Sequence, residues 1–399
     1  MRKKILIISM AYYPRFIGGA EVSIKELTDR LSDEYDFHMV TLRYDSSLPR
    51  VSMEGNVLVH RIGPSFSRAA VSDLRKWQFR VLKVWFQFAA FFKAQSLHKK
   101  EKYDMVWGMM AHSAGVPAVL FKRFNPSVSY MLSLQEGDPP QHIERQMRIF
   151  GPLFKSAFRS ADVIQSLSIF LADWGLRMGG RKVIVIPNGV DVARFSSTES
   201  KDHREDIRNK FNIPQEVPLF ITASRLVPKN GVDLVIGAFQ YLPEDVHFLI
   251  AGEGPECIQL EKLARKGKGA GRIHFVGEIS QAELPYYLGA ADYFIRASRS
   301  EGQGIAFIEA LAAGLPTIGT DVGGIPDFLH DGETGFLAET CDTEGVAYAM
   351  NRALEDAIAT AEIAKRGNEL SNTYDWNIVA MRMKNEVFEP LLRRENKAL

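Results

Sequence analysis

Apolar residues along this chain come in short unbroken runs rich in β-branched side chains, separated by stretches with apolar positions at helical spacing. In the first half the runs are KILIISM, FHMVTLR, VLVHRI, DMVWGMM, SVSYMLSL, DVIQSLS and KVIVIPNG. In the second they are LFITASRL, VHFLIAG, RIHFVGE, DYFIRAS, LPTIGTD and TGFLA. A strand that is apolar on both faces is covered on both faces, so such runs alternating with helices predict parallel sheets flanked by helices. The fold class expected is α/β. The polar stretch SSTESKDHRED (196–206) follows IPNGVDVARF, and a fresh strand begins near Leu219. A boundary within 186–216 follows, with 1–186 as a first domain and 187–375 as a second. Ligands of open α/β sheets sit beyond the carboxyl ends of the strands, so two such domains facing each other would frame a cleft.

Composition narrows the class without naming a chemistry. At 399 residues the chain is too long for one ordinary core, and 46% hydrophobic with 24% charged residues is the balance of a water-soluble globular protein. A net charge of +1 carries no global nucleic-acid signature, so any basic surface is local. Cys257 and Cys341 are the only cysteines and form no metal-binding spacing, which argues for a reducing, cytoplasmic setting. The opening MRKKILIISM has the basic start and apolar run of a signal peptide. The run is short and lacks a small-residue cleavage site, so it reads as a first strand. No run approaches 18 apolar residues, and no transmembrane helix is expected.

Two segments of the second half carry candidate chemistry. PLFITASRLVPKNGVDLVIGAF (218–239) reads as strand, loop and helix, with Arg225 and Lys229 on the loop and Asn230-Gly231 opening the helix. Two cations beside a helix N-terminus suit a diphosphate; the alternative is a pair of solvated loop cations. SRSEGQGIAFIEALAAGLP (298–316) places a glycine-rich loop, Ser298 to Gly304, between the strand DYFIRAS and a buried helix. Gly302 and Gly304 let backbone N–H groups approach the same diphosphate closely. Phosphate repels carboxylate, so Glu301 and Glu309 should instead accept hydrogen bonds from hydroxyls on either side of it. Glu309 lies about five residues past Gly304, roughly 7–8 Å along a helix, an offset that suits a ribose diol. Glu301 then suits the sugar beyond the second phosphate. The alternative makes Glu301 a helix cap and Glu309 an exposed residue. Against it, the neighbours Ile308, Ala310, Leu311 and Ala312 are apolar or small, and a carboxylate among them needs a partner.

The stretch SEGQGIAFIEALAAGLPTIGTDVGGIPDFL resembles the retaining sugar-nucleotide glycosyltransferases of family four (glycosyl transferases group 1), whose signature is a glutamate pair spaced as Glu301 and Glu309 are. The resemblance runs through nearly the whole chain. YYPRFIGGAEVSIKELTDRL is similar to the family's first glycine-rich loop and helix, and VIVIPNGVD to its entry into the linker. ASRLVPKNGVDLVIGAF is similar to its basic phosphate loop, and RIHFVGEISQAELPYYLGAAD to the strand and loop near the nucleotide base. The resemblance implies the GT-B fold, two Rossmann-like doubly wound domains facing an interdomain cleft, with a C-terminal helix (376–399) packing back on the first domain. It implies that Arg225 and Lys229 hold the donor diphosphate, that Glu309 takes the ribose and Glu301 the transferred sugar. Backbone of Gln303, Gly304 and Ile305 would complete the phosphate cradle, Val276 and Glu278 would border the base, and Gly18 and Gly19 would come close to the diphosphate.

The implied activity is retaining, metal-independent transfer of a hexose-type sugar from a nucleoside diphosphate sugar to a hydroxyl. The acceptor would be a carbohydrate or lipid-linked sugar in glycolipid, lipopolysaccharide or exopolysaccharide assembly. No cofactor is implied beyond the donor, and no D-x-D or metal-ligand spacing occurs. Two positions depart from the family pattern. Gln303 stands where Phe is usual, and Gln135, in LQEGDPP, stands where many members carry a histidine near the reacting carbon. Glutamine can bond a sugar hydroxyl but cannot relay a proton; in same-face attack the leaving phosphate oxygen can take the acceptor's proton instead. His112 and Glu136 are the acceptor-side candidates. Three rival readings remain: a nicotinamide oxidoreductase, opposed by the lack of GxGxxG in KILIISMAYYPRFIGGAE; a sugar-nucleotide epimerase of the same plan; and a non-catalytic sugar-nucleotide binder, which Gln135 favours.

One segment points elsewhere. In SDLRKWQFRVLKVWFQFAAFFKAQSLHKK (72–100), Leu74, Trp77, Val81, Val84, Trp85, Phe88 and Phe92 share a helical side and read as a core stripe. Phe79 and Phe86 fall opposite, near Lys76, Lys83 and Lys93. Exposed aromatics among cations suit an anionic membrane surface, and 144–160 repeats the mixture with Arg145, Arg148, Lys155 and Arg159. The alternative is that another helix covers Phe79 and Phe86. The expectation is a cytoplasmic protein peripheral at the inner face of the cell membrane.

Overall fold

The computed structural model describes residues 2–15, 17–64, 77–197, 202–339 and 341–393, with the side chains of 77–80 outside that description. The chain forms two compact units, Met1–Asn188 together with Trp376–Leu399, and Gly189–Asp375.

The first unit is built on β1 (Lys3–Ile8), β2 (Tyr35–Leu42), β3 (Val51–Glu54), β4 (Val57–Ile62), β5 (Met105–Met109), β6 (Ser129–Leu134), β7 (Val163–Ser166) and β8 (Val183–Val185). Their order in the sheet is β3-β4-β2-β1-β5-β6-β7-β8, parallel throughout except for β3 against β4. The order reverses between β1 and β5, so the loops after those two strands flank the crevice where such sheets bind ligands. Each apolar run of the sequence forms a strand. β3 was not among them: it is no run at all but an alternation of exposed and half-buried residues, paired to β4 across a two-residue Gly55-Asn56 turn. That dipeptide is a hairpin signal, and it was the available clue.

One face of this sheet is covered by α1 (Gly19–Leu31) and by the chain's end, through Ile24, Leu27, Trp376 and Phe388. Phe388 lies edge-on to Tyr35 at 5.5 Å and to Trp107 at 5.7 Å. Polar contacts reinforce the return: Arg382 Nη2 donates to the Val185 carbonyl (2.9 Å) and Lys384 pairs with Glu34 (2.6 Å). The predicted terminal helix is described as far as residue 393, its last six residues lying outside the description.

The other face is covered by α2 (Trp77–Glu101), α3 (Ala111–Phe124), α4 (Pro140–Gln146) and α5 (Gly151–Arg159). Here the structure corrects the sequence reading of α2. Phe86, expected outside, is fully buried with Leu82, Ala90, Ala94 and Leu97, while Val81, Val84, Trp85, Phe88 and Phe92, expected as the core stripe, are exposed. The reason is shape. Ala90 and Ala94 let α2 approach its neighbours closely, and Gln87 on that side donates to the Ser113 carbonyl of α3 (3.3 Å). A helix apolar on most of its circumference buries the side that packs most closely, and periodicity alone does not select it. Residues 72–76, with Leu74 and Lys76, and the side chains of Trp77 and Phe79 lie outside the described residues.

The second unit holds β9 (Leu219–Ala223), β10 (His247–Ala251), β11 (Ile273–Gly277), β12 (Tyr293–Ile295), β13 (Thr317–Thr320) and β14 (Phe336–Ala338). All pairs are parallel, in the order β11-β10-β9-β12-β13-β14. Numbered within the unit this is 3-2-1-4-5-6, the doubly wound order, with its reversal between β9 and β12. Phe220, Phe248 and Ile250 fill the core on one face, and Ile221, Leu249, Phe294 and Phe307 on the other.

Truncating Phe388 to Ala leaves a cavity between Tyr35 and Trp107 and should cost about 3–5 kcal/mol in urea unfolding. The half-exposed Ile378, one helix upstream, should lose less than about 1 kcal/mol on the same truncation.

Candidate active site

The loops that flank the reversal of the second sheet are the two segments singled out in the sequence. The loop after β9 carries Arg225 and Lys229, and the loop after β12 carries Ser298 to Gly304. They are joined backbone to backbone. The Arg299 N–H donates to the Lys229 carbonyl (2.7 Å), and its guanidinium donates to the Pro228 carbonyl (2.7 Å) and to both oxygens of Asp233 (2.8 and 2.6 Å). Gly231 makes the closest approach. Its φ is +65°, and a Cβ there would stand 1.7 Å from the Ala297 carbonyl oxygen, so no side chain is compatible. The helix that follows begins at Val232, after a short 3₁₀ turn over Pro228–Asn230.

Arg225 is exposed and its side chain makes no hydrogen bond or ion pair among the described residues, whereas Lys229 is half-buried. Between the loops lies a buried polar cluster. Arg296, at the end of the β12 run, sends Nη2 to Glu301 Oε2 (2.6 Å) and to Asn230 Oδ1 (2.7 Å), and its guanidinium lies 5.7 Å from the centre of the Phe307 ring. Asn230 in turn donates to the Arg225 carbonyl (2.6 Å). Glu301 is therefore not a cap. It is buried, ion-paired, and its Oε1 accepts from the Gly302 N–H (3.2 Å). Its carbonyl accepts from the Gly324 N–H (3.2 Å), and the preceding Gly323, with φ +60°, packs so close that a Cβ there would fall 1.9 Å from that oxygen.

Gly304 caps the helix Ile305–Ala312, and Glu309 sits within it. Glu309 is buried, and its carboxyl makes no hydrogen bond among the described residues. Burial pushes its carboxyl up to about 7, and the charges of Arg194 and then Arg296 only partly offset the effect. Arg194 has a guanidinium nitrogen buried without a partner. Gln303 is buried as a whole residue. Val276 and Glu278 lie at the carboxyl end of β11, on the same edge of the sheet as Arg225. The loops along that edge are laced together by Ser224 N–H to the Ala251 carbonyl (3.0 Å) and Gly252 N–H to the Gly277 carbonyl (2.7 Å).

In the first unit the candidates gather at the reversal between β1 and β5. Gly18 caps α1, its N–H donating to Glu21 Oε2 (2.9 Å), and Gly19 opens the helix. His112 and Glu136, proposed separately from sequence, form a pair. The His112 backbone N–H and Nδ1 each lie 3.4 Å from Glu136 Oε1. Glu136 is 1% exposed, and its Oε2 is buried with no partner. Gln135, just past the end of β6, is engaged within the unit. Its amide nitrogen donates to Ser23 Oγ and Asn188 Oδ1 (both 3.1 Å), and its oxygen accepts from Asn188 Nδ2 (3.0 Å). With both amide hydrogens engaged, Gln135 ties β6 to α1 and Asn188 and has no donor left for a sugar.

Arg296, Asn230, Arg299 and Arg194 were missed in the sequence. Arg296 had a signal: a cation inside the apolar run DYFIRAS must find a partner, and the nearest acids along the chain are Asp292, which opens the run, and Glu301, just beyond it.

Because Glu309 holds its proton more tightly when folded, its contribution to stability is complete below about pH 4.5 and declines as pH rises to about 7. The loss amounts to roughly 3 kcal/mol. Urea midpoints measured from pH 5 to pH 8 should show Glu309→Gln gaining on the wild type as pH rises. Parallel curves would contradict the buried, unpaired carboxylate.

Comparison with known proteins agrees with this geometry. Residues 203–370 match the family model described as glycosyl transferases group 1, and residues 17–194 match that of glycosyltransferase family 4. An uncharacterized glycosyltransferase of Methanocaldococcus jannaschii is 26% identical over 97% of this chain and 98% of its own. Alpha-monoglucosyldiacylglycerol synthase of Streptococcus pneumoniae is 26% identical over 79% of this chain and 70% of its own. Among solved structures, sucrose-phosphate synthase from Thermosynechococcus elongatus superposes with a TM-score of 0.82 at 21% identity, covering 98% of this chain and 100% of the other. Anabaena HepE in complex with UDP-glucose gives 0.74 at 20% identity, covering 96% and 99%. Those likenesses give the GT-B fold. The two family models together take in most of the chain, which belongs to the group 1, family 4 glycosyltransferases.

Proposed function

We propose that this glycosyltransferase moves a hexose-type sugar from a nucleoside diphosphate sugar to a hydroxyl, with retained anomeric configuration and no bound metal ion. The observation that carries the reading is the arrangement at the reversal of the second sheet. An exposed, unpaired Arg225 and a half-buried Lys229 lie on one loop, and two buried glutamates lie on the adjoining loop and helix. Cations on that edge suit a diphosphate. Carboxylates set back from them suit the hydroxyls of ribose, at Glu309, and of the transferred sugar, at Glu301. The HepE complex, of the same fold, holds UDP-glucose.

In the reaction the bond from the anomeric carbon to the phosphate oxygen breaks and the diphosphate takes the electron pair. Arg225, Lys229 and the N–H groups at the start of the Ile305–Ala312 helix stabilise that growing charge, the part otherwise given to a metal ion. The acceptor oxygen bonds to the same face of the carbon, and its proton passes to the leaving phosphate oxygen. Glu301, already neutralised by Arg296, orients the sugar without adding a net negative charge beside the diphosphate. The acceptor is assigned to the first unit, near the His112–Glu136 pair. A glycolipid, lipopolysaccharide or exopolysaccharide precursor is the acceptor class favoured by the printed names of relatives such as the diacylglycerol-linked synthase.

A panel of nucleoside diphosphate sugars screened by thermal shift should raise the melting temperature for one or a few donors. Arg225→Ala should weaken that donor by about 10–100-fold, the value of a lost charge-assisted contact. Glu301→Gln should spare nucleotide binding and lower turnover, and the product's anomeric proton should show the donor's configuration by NMR. No stabilisation by any donor, or an Arg225→Ala protein that binds as the wild type does, would remove the reading.

A further inference from the structure

The side of α2 that the core leaves out is an apolar surface that the transferase reading does not use. Trp85 and Phe88 are each 43% exposed and Phe92 is 67% exposed. The surface continues beyond the helix. Phe91 and Phe92 meet at 5.1 Å, Phe91 packs 5.3 Å from Phe124 at the end of α3 (67% exposed), and Phe88 packs 6.0 Å from Phe150 beside Ile149 (76% exposed). Under Trp85, Phe88 and Phe92, with Ile62 and Ala89, lies an apolar hollow of about 470 Å³. Contiguous exposed aromatics of this kind are a binding surface rather than scattered surface residues.

The charges around it have one sign. α2 carries Arg80, Lys83, Lys93, Lys99 and Lys100 and no acid before its last residue, Glu101. Arg123 adjoins Phe124, and Arg145 and Arg148 adjoin Ile149. Lys99, Arg123, Arg145 and Arg148 are exposed and make no ion pair among the described residues. The nearby acids have partners elsewhere: Glu101 with Lys4 (2.7 Å), Asp104 with Lys3 (2.8 Å) and Asp162 with Lys122 (2.9 Å). Glu144 accepts from the Trp174 indole (3.0 Å). A protein partner of ordinary composition would bring both signs of charge to such a rim. A surface of anionic headgroups over acyl chains brings one sign outside and apolar matter beneath, as this patch requires.

We propose that the outward face of α2, with the end of α3 and the Met147–Phe150 turn, is a docking surface for an anionic lipid bilayer. Trp85, Phe88, Phe92, Phe124 and Ile149 enter the interfacial layer, and Lys99, Arg123, Arg145 and Arg148 meet the headgroups. No helix among the described residues is long and apolar enough to cross a membrane, so the attachment is at the interface and reversible. The proposal stands apart from the transferase reading and survives if that reading fails.

The test is sedimentation of the full chain with vesicles of phosphatidylcholine alone and of phosphatidylcholine mixed with phosphatidylglycerol, at low and high salt. The wild type should pellet with the mixed vesicles at low salt, be partly released by high salt, and stay in solution with phosphatidylcholine alone. Arg145→Glu with Arg148→Glu, surface changes that spare the core, should lower partitioning on the order of tenfold. Trp85→Ser with Phe92→Ser should lower it at both salt concentrations, with circular dichroism and donor-induced thermal shift unchanged. Equal pelleting with both vesicle types, no pelleting, or both variants binding as the wild type does would overturn the proposal. So would a wild-type dimer by light scattering that Trp85→Ser with Phe92→Ser converts to a monomer, since the face would then belong to a second copy of the chain.

Discussion

The second unit is organised around one buried guanidinium. Arg296 ends an apolar strand run, where an isolated charge would be driven back toward water, and it stays because Glu301 and Asn230 meet it from two different loops. Each partner has a second attachment. Asn230 holds the carbonyl of Arg225, and Glu301 holds the N–H of Gly302. The loop with the unpaired cation and the loop with the glycines are thus tied through one side chain, and the Arg299–Asp233 pair ties them again at the surface. Removing Glu301 would leave the guanidinium uncompensated in the interior, a far larger penalty than the loss of a surface ion pair, whereas removing Asn230 would cost it a hydrogen-bond acceptor.

The same cluster explains why the two glutamates, alike in the sequence, differ in chemistry. Glu301 has a guanidinium at 2.6 Å, while Glu309, just over one turn into the next helix, has only the more distant fields of Arg194 and Arg296. For Glu309 burial prevails and the carboxyl keeps its proton to about neutral pH. A carboxyl in that condition is poised for an incoming polar group: hydroxyl donors that reach it stabilise the charged form and supply the hydrogen bonds the interior lacks.

What could be read from residues alone follows a physical line. Strands buried on both faces announce themselves as apolar runs, so LFITASRL and the others were legible. β3 was not, because an edge strand with one wet side, "VSME", has no run to show. The phosphate loop and the paired glutamates were legible as motifs, since glycine, cation and acid spacings survive in one dimension. Arg296 with Asn230, and His112 with Glu136, join residues that only the sheet order brings together, 66 and 24 positions apart. Gln135 was placed near a sugar by likeness to a family. Its actual partners, Ser23 and Asn188, come from two other parts of the chain. The orientation of α2 was misread because Phe86 and Phe88 are equally apolar, and only the small residues Ala90 and Ala94 decide which side can approach the sheet.

The net charge of +1 conceals a division of labour that this comparison brings out. In the second unit Arg296 is matched by Glu301 and Arg299 by Asp233 at the site, and Arg208 by Asp292 at the opposite edge of the sheet. Arg225 is left unmatched at the mouth of the loop. In the first unit the acids are drawn inward to Lys3, Lys4 and Lys122, which leaves a cluster of unmatched cations beside exposed aromatics on the helical face. A cation held without a counter-ion at a surface keeps its full interaction with an anion arriving from solution, whereas a paired one must first give up a partner. On that argument two separate surfaces of this chain are open to an anion, a small one at Arg225 and an extended one along α2. A whole-chain charge balance cannot show either, because acidic side chains elsewhere in the chain offset them in the sum.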